Sequence, residues 1–266
     1  ADQALISNPS LFPALPYDTL KDLQPVALVG TAASVIVVNS SLPVRDLKSL
    51  IALAKSKPGT LNYASGGNGT MTHLAGELFG LLANVEFTHV PYKGAAPALA
   101  DLLGGQLTFT FEPLVTGIPL IKANKLRGFA VSGIKRSKGM PNLPTMNELG
   151  YKGFDITQFQ GLLAPAGTDP AIIRRLNAEA VKALKSPMVV RRLVEEGGNE
   201  IVGGTPAEFA QQIQSDLRLY GKLIADSRIN ADSALFDVDK GIMLRDPDTN
   251  EPIYLRDSLK LGKDGE

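Results

Sequence analysis

The sequence predicts an α/β fold with mostly parallel strands, and three observations carry that reading. Segments with the β-branched texture of buried strands alternate with segments of helical spacing along roughly two hundred residues. Strands end in Gly- and Pro-rich turns at the spacing of βαβ crossovers, as at Leu61 to Thr70 and Val90 to Ala95. Hydrophobic residues make up 44% of 266 positions, enough for a sizeable core in one large domain or two ordinary ones.

Val26 to Val38 reads as the first strand. It lies in Leu23 to Val44, an uncharged stretch of 22 residues that is long enough to span a membrane, but its β-branched clusters and Pro and Gly punctuation favour buried strand. Leu47 to Lys55 has apolar residues at helical spacing and stops at Pro58-Gly59. Leu61 to Ala64 is a short strand, followed by helix Met71 to Leu82, strand Val85 to Val90 and helix Ala96 to Leu103 with Gly104 as its cap. Strand Leu107 to Phe111, helix Ile118 to Ala123 and strand Leu126 to Val131 complete the alternation.

Beyond Val131 the texture changes. Thr145 to Leu149 reads as a short helix start, and Ile156 to Ala164 as extended chain up to Pro165. Asp169-Pro170 caps a helix over Ala171 to Lys185, Ser186-Pro187 opens Met188 to Glu196, and Thr205 to Glu208 forms a capping box before Phe209 to Ala225.

Charge narrows the function. The chain is neutral overall, with 27 basic and 27 acidic residues, which disfavours a nucleic-acid binder. Residues 231 to 266 hold nine acids against five bases, a net −4, so the remaining body carries +4, a weak bias towards an anionic ligand. With no Cys, disulfides, zinc–thiolate clusters and thiol nucleophiles are absent; only His73 and His89 supply imidazoles. No basic and apolar export signal is visible in Ala1 to Pro16.

Enzyme motifs fail on inspection. A nucleophile elbow needs Gly where Tyr63 stands, and a dinucleotide fingerprint needs a third Gly where Thr72 stands. Ser65 and His73 lack an intervening acid to orient the imidazole, and each His reads first as a structural residue. What survives is the turn Ser65-Gly66-Gly67-Asn68-Gly69-Thr70 between a strand and a helix. Its glycines let backbone approach a ligand, its hydroxyls donate, and the helix start adds free N–H groups. The pattern fits an anion site and a plain Gly-rich connection with Thr70 as N-cap about equally. Tyr92-Lys93-Gly94-Ala95, at the next strand end, could face the same cleft, with Lys93 either its cation or a solvated surface charge.

Three segments resemble one family: Leu61 to Thr70 with His73-Leu74-Ala75-Gly76-Glu77, His89-Val90-Pro91-Tyr92-Lys93-Gly94, and Gly161-Leu162-Leu163-Ala164-Pro165-Ala166-Gly167-Thr168. The chain from about residue 4 to residue 230 closely resembles the Bug family, the periplasmic substrate-binding proteins of tripartite tricarboxylate transporters; Asn8-Pro9-Ser10-Leu11-Phe12-Pro13 matches the start, with Asn8 itself left out of the site. The resemblance implies a two-lobed, type II periplasmic-binding-protein fold that closes on a small mono- or dicarboxylate and passes it to a membrane permease, with no cofactor and no chemistry. It implies a first lobe from 1–25 and 132–230, a second from 26–131, and a site between them. Ser65, Gly66, Gly67, Asn68, Gly69, Thr70 and His73, with Tyr92, Lys93, Gly94 and Ala95, are its ligand-facing segments on the second lobe, and Phe159 and Gln160 are rim candidates.

Family members begin with an export signal, a first strand and a Gly-rich loop before the Asn-Pro match. The resemblance therefore implies that the N-terminal strands of the first lobe, and part of the site, are missing here. Residues 231–266 have no counterpart in it. Ile242 to Arg245 and Ile253 to Arg256 read as a hairpin, and the run Asp246, Asp248, Asn250 and Asp257 fails as a calcium loop because Glu251 replaces the required Gly. Two other functions stay open: an α/β enzyme using the Gly-rich turn for a phosphorylated substrate, and a non-binding interaction protein.

Overall fold

The computed structural model describes residues 4–12 and 14–226, and beyond these the strand residues 236–237, 241–245 and 252–254. In chain order the elements begin with helix α1 (Ala4–Leu11) and a long strand β1 (Leu23–Asn39), followed by α2 (Leu47–Ser56), β2 (Asn62–Ser65), α3 (Met71–Ala83), β3 (Thr88–Pro91), α4 (Ala95–Leu103), β4 (Phe109–Pro113), α5 (Leu114–Lys122) and β5 (Leu126–Val131). Then come β6 (Thr157–Pro165), α6 (Pro170–Leu184), α7 (Pro187–Val190), a π-helical turn (Arg191–Glu196), β7 (Glu200–Gly203) and α8 (Pro206–Asp226).

Strand β1 organises the sheet. Its first part, Leu23 to Ala33, pairs with β6 and, at Leu28 to Thr31, with β7; its last part, Ser34 to Asn39, lies between β4 and β5. β2 and β3 extend the sheet beyond β4 in the order β3-β2-β4-β1-β5. All four pairings of β1 are antiparallel, whereas β2 pairs in parallel with β3 and with β4. The expectation of mostly parallel pairing is corrected here. The other six strands share one direction, as crossover spacing requires, but β1 runs against them and makes most of the pairings.

Burial explains the apolar run in β1. Val35 to Val38 are all 0% exposed. Ile36 and Val38 enter one core with Tyr63, Phe79, Phe109 and Phe111, while Val35 and Val37 face the opposite core with Ala98, Leu102 and Leu114. A strand covered on both faces reads as a continuous hydrophobic stretch rather than as alternation. Among the described residues no helix is long and apolar enough to cross a membrane.

Local chemistry sets the helix starts. The Asp46 carboxylate accepts the Ser49 N–H at 2.7 Å and closes a capping box on α2, and Asp169 accepts the Ala171 N–H at the start of α6. Thr145 and Glu148 exchange the same kind of bonds, yet no helix follows. Here the Asn147 side chain takes the Gly153 N–H and donates to the Phe154 carbonyl, and Gly150 at φ +99° turns the chain away. The C-terminal region holds β8 (Phe236–Asp237), β9 (Gly241–Arg245) and β10 (Pro252–Tyr254), with Arg245 opposite Pro252 and Met243 opposite Tyr254 in antiparallel register. Asp246, Asp248, Asn250 and Asp257 lie outside the described residues.

Candidate functional site

The Gly-rich turn leaves β2 and enters α3, and the structure sets it beside the start of α4. Gly94 donates its N–H to the Gly66 carbonyl at 3.0 Å, and Tyr92 donates to the Ser65 carbonyl at 3.0 Å, so the two turns are joined by backbone. A pocket of about 350 Å³ opens where they meet. Gly66, Asn68, Gly69 and Thr70 of the turn line it, together with Met71 and Thr72 at the start of α3 and Gly94 and Ala95 at the start of α4. Ser7 and Asn8 of α1 and Gln158 of β6 also line it. No Lys, Arg, Asp or Glu is among these lining residues.

Two helix N-termini therefore point at one neutral cavity. Neither α3, whose N-cap is Thr70, nor α4, whose N-cap is Gly94, has a side-chain cap bond. The Thr70 hydroxyl instead donates to the Gly67 carbonyl at 2.6 Å, and Thr72 Oγ1 accepts the Gly66 N–H at 3.0 Å, which braces the turn from within. The first N–H groups of a helix have no intrahelical acceptor and carry about half a positive charge together, so this pair of ends favours an oxyanion.

Two glycines make the turn possible. Gly69 has φ +72° and Gly67 φ +133°, conformations that L side chains rarely adopt. At Gly69 a Cβ would fall 2.1 Å from Leu11 Cδ1, so α1 packs directly on the turn that shapes the pocket.

The other residues singled out from sequence take different places. Ser65 is buried beneath the turn; its hydroxyl accepts the Gly67 N–H at 3.1 Å and lies 2.6 Å from His89 Nε2. His73, 4% exposed, lies next to it and accepts the Gly69 N–H on Nδ1 at 3.0 Å. Burial pushes the His73 imidazole down to about 4, and burial together with His73 pushes His89 down to about 3. Burial, together with the bond that the Tyr92 hydroxyl donates to Asp101 Oδ2 at 2.6 Å, pushes the phenol up to about 12. Lys93 is exposed and outside the pocket lining. Phe159 packs edge-on against Phe209 in the core, and Gln160 is exposed.

Ser7, Asn8 and Gln158 are the lining residues that motif reasoning passed over. Gln158 precedes Phe159 in β6, and strand alternation sends the two to opposite faces, so the buried Phe carried the signal one residue away.

Residues 1–229 match the family model described as tripartite tricarboxylate transporter family receptor. The chain belongs to this receptor family. It is 36% identical over 228 residues to the protein of the tcbD-tcbE intergenic region of Pseudomonas sp. (strain P51), covering 85% of this chain and 68% of that one. It is 35% identical to Protein BugT of Bordetella pertussis, covering 82% and 67%. Among solved structures it resembles R. palustris Rpa4515 with adipate at TM-score 0.78 and 31% identity, covering 86% of this chain and 77% of that one. It also resembles MatC from Rhodopseudomonas palustris with bound malate at TM-score 0.74 and 28% identity, covering 84% and 76%. The receptor thus has the two-lobed α/β binding-protein fold of its relatives, and membership makes it a periplasmic binding protein and not an enzyme.

Proposed function

We propose that this receptor captures a small carboxylate in the pocket where α3 and α4 begin and delivers it to the membrane permease of a tripartite transporter. The observation that carries the reading is the convergence of two uncapped helix N-termini on a cavity lined only by neutral groups. Backbone amides and hydroxyls hold an anion without a fixed counter-charge, which suits reversible capture. Relatives of the same fold hold adipate and malate. In this reading residues 26–131 make one lobe and residues 1–25 with 132–230 the other. The pocket draws Gly66, Asn68 to Thr72, Gly94 and Ala95 from the first of these, and Ser7, Asn8 and Gln158 from the second.

Thermal melting with adipate, malate and inorganic phosphate tests the reading. A dicarboxylate at one hundred times its dissociation constant is expected to add about 2.7 kcal/mol of stability, with no product formed. Stabilisation by phosphate alone, or turnover, would favour a phosphate-using enzyme instead.

Lys93 adds a second expectation. Its exposed side chain lies outside the pocket lining, so Lys93→Met is expected to weaken carboxylate binding by less than about 0.5 kcal/mol at low salt and not at all near 1 M salt, where the Debye length is ~3 Å. Isothermal titration at two ionic strengths measures it. A loss above about 1.5 kcal/mol that survives high salt would make Lys93 a direct ligand.

A further inference from the structure

Beneath the turn lies a polar cluster, with Tyr63, Ser65 and His73 buried and Glu77 and His89 half-buried, that has no direct part in the pocket lining. His73 and His89 stack face to face, with centroids 3.7 Å apart and planes 7° from parallel. Each holds one end of the turn. His73 Nδ1 accepts the N–H of Gly69, and His89 Nε2 meets Ser65 Oγ, which in turn accepts the N–H of Gly67. Tyr63 stacks on His89 at 4.9 Å and donates its hydroxyl to Glu77 Oε1 at 2.6 Å, and the same oxygen lies 3.8 Å from His73 Nε2. Tyr63 from β2, Glu77 from α3 and His89 from β3 are thus the titratable groups around the His73 ring.

We propose that His73 is a positioning residue for ligand capture: from beneath the turn its neutral, Nε2-protonated imidazole accepts the Gly69 N–H and fixes the backbone shape that aims the first amides of α3 into the pocket. This rests on the carboxylate reading above. The tautomer follows from the geometry, because a ring nitrogen that accepts a backbone N–H carries no proton, and the remaining proton then sits on Nε2 facing the Glu77 carboxyl. Gly69 is the residue that most needs holding, since a glycine backbone has the widest choice of conformations to lose and its N–H is buried. A protonated or Nδ1-protonated ring would set donor against donor and leave that N–H unsatisfied. Burial of both rings and their close stacking keep them neutral.

Two measurements test this. Imidazole 15N NMR of the intact, ligand-free protein at neutral pH should show His73 unprotonated at Nδ1 and protonated at Nε2; the opposite tautomer, or a charged ring, overturns the proposal. Calorimetry with adipate should then show at least a tenfold loss of affinity in His73→Leu, which has no acceptor, as expected when a buried N–H loses its partner. His73→Asn, whose Oδ1 can take the place of Nδ1, should bind within about threefold of wild type. Equal losses in both variants, or none in His73→Leu, would leave His73 an ordinary core residue and overturn the proposal. If His73→Leu does not fold, rescue by His73→Asn and the wild-type tautomer decide. Wild type that binds neither adipate nor malate would refute the carboxylate reading alone, and the tautomer with the hydrogen exchange of the Gly69 amide would still judge His73: slow exchange in wild type that stays slow in His73→Asn supports it, and fast exchange in wild type overturns it.

Discussion

Gly69→Ala is expected to cost at least tenfold in carboxylate affinity, and Gly69→Val to abolish binding. Two separate effects act at this position. A side chain at φ +72° adopts a left-handed conformation that costs about 1–2 kcal/mol, and the new Cβ meets Leu11 Cδ1 at 2.1 Å. Leu11 is a buried core residue of α1, the helix that also brings Ser7 and Asn8 to the pocket. Relief of the clash therefore repacks the Leu11 side chain within its core or moves the turn or α1, and a move of the turn or α1 spoils the amide geometry at the start of α3. Gly59→Ala is the matched control. Gly59 has nearly the same φ, +70°, but has nothing within 4 Å of its missing Cβ and lies outside this pocket. It should lower stability by about 1–2 kcal/mol and leave affinity unchanged. Melting curves and calorimetry on the two variants separate strain from site damage. Wild-type affinity in Gly69→Ala, with the fold intact, would place the ligand elsewhere.

The same turn marks how far the sequence could be read. Strand, glycines and helix start are local features, so Gly66, Asn68, Gly69, Thr70, Gly94 and Ala95 could be named from sequence, and the structure gathers all six around one cavity. Ser7 and Asn8 reach it only because α1 packs against α8 and against the turn, a contact between residues far apart in the chain that no local pattern carries. Gln158 depends on which face of β6 each residue takes, and register is a property of the pairing with β1, where Ala32 lies opposite Gln158. His73 and His89 could be seen as the only imidazoles; that they would stack at 3.7 Å under the turn could not, because β3 and α3 meet there only in the folded sheet. The direction of β1 was hidden for a similar reason. Alternation of strands and helices fixes crossover lengths, whereas the sense of the pairings depends on which strands become neighbours, and β1 neighbours none of those adjacent to it in sequence.

A buried carboxyl on α8 gives the second large expectation, this one on stability. Asp216 is 8% exposed; burial, opposed by the Gln212 amide that donates to Oδ1 at 2.8 Å and reinforced by the nearby Asp155, pushes its carboxyl from the ordinary 3.8 up to about 6. Asp155 is itself pushed up by burial, so the two acids oppose each other's ionisation. A carboxyl whose folded value lies above its unfolded value binds more protons in the native state. Its contribution is therefore fully present below about pH 4 and is lost as pH rises through about 6. A difference of roughly two pH units corresponds to about 3 kcal/mol of stability forgone at pH 7.5. Asp216→Asn keeps an acceptor for Gln212 and removes the charge, so it should gain up to about 3 kcal/mol at pH 7.5, roughly 6–12 °C in Tm for a chain of this size. The gain should shrink between pH 6 and 4 and vanish below. Denaturant unfolding of both proteins from pH 3.5 to 8 measures the difference directly. A constant offset across that range would show that Asp216 titrates alike in the folded and unfolded chain, so that burial does not raise its carboxyl. A loss of stability in the variant at pH 7.5 would mean that the charge itself holds α8 in place.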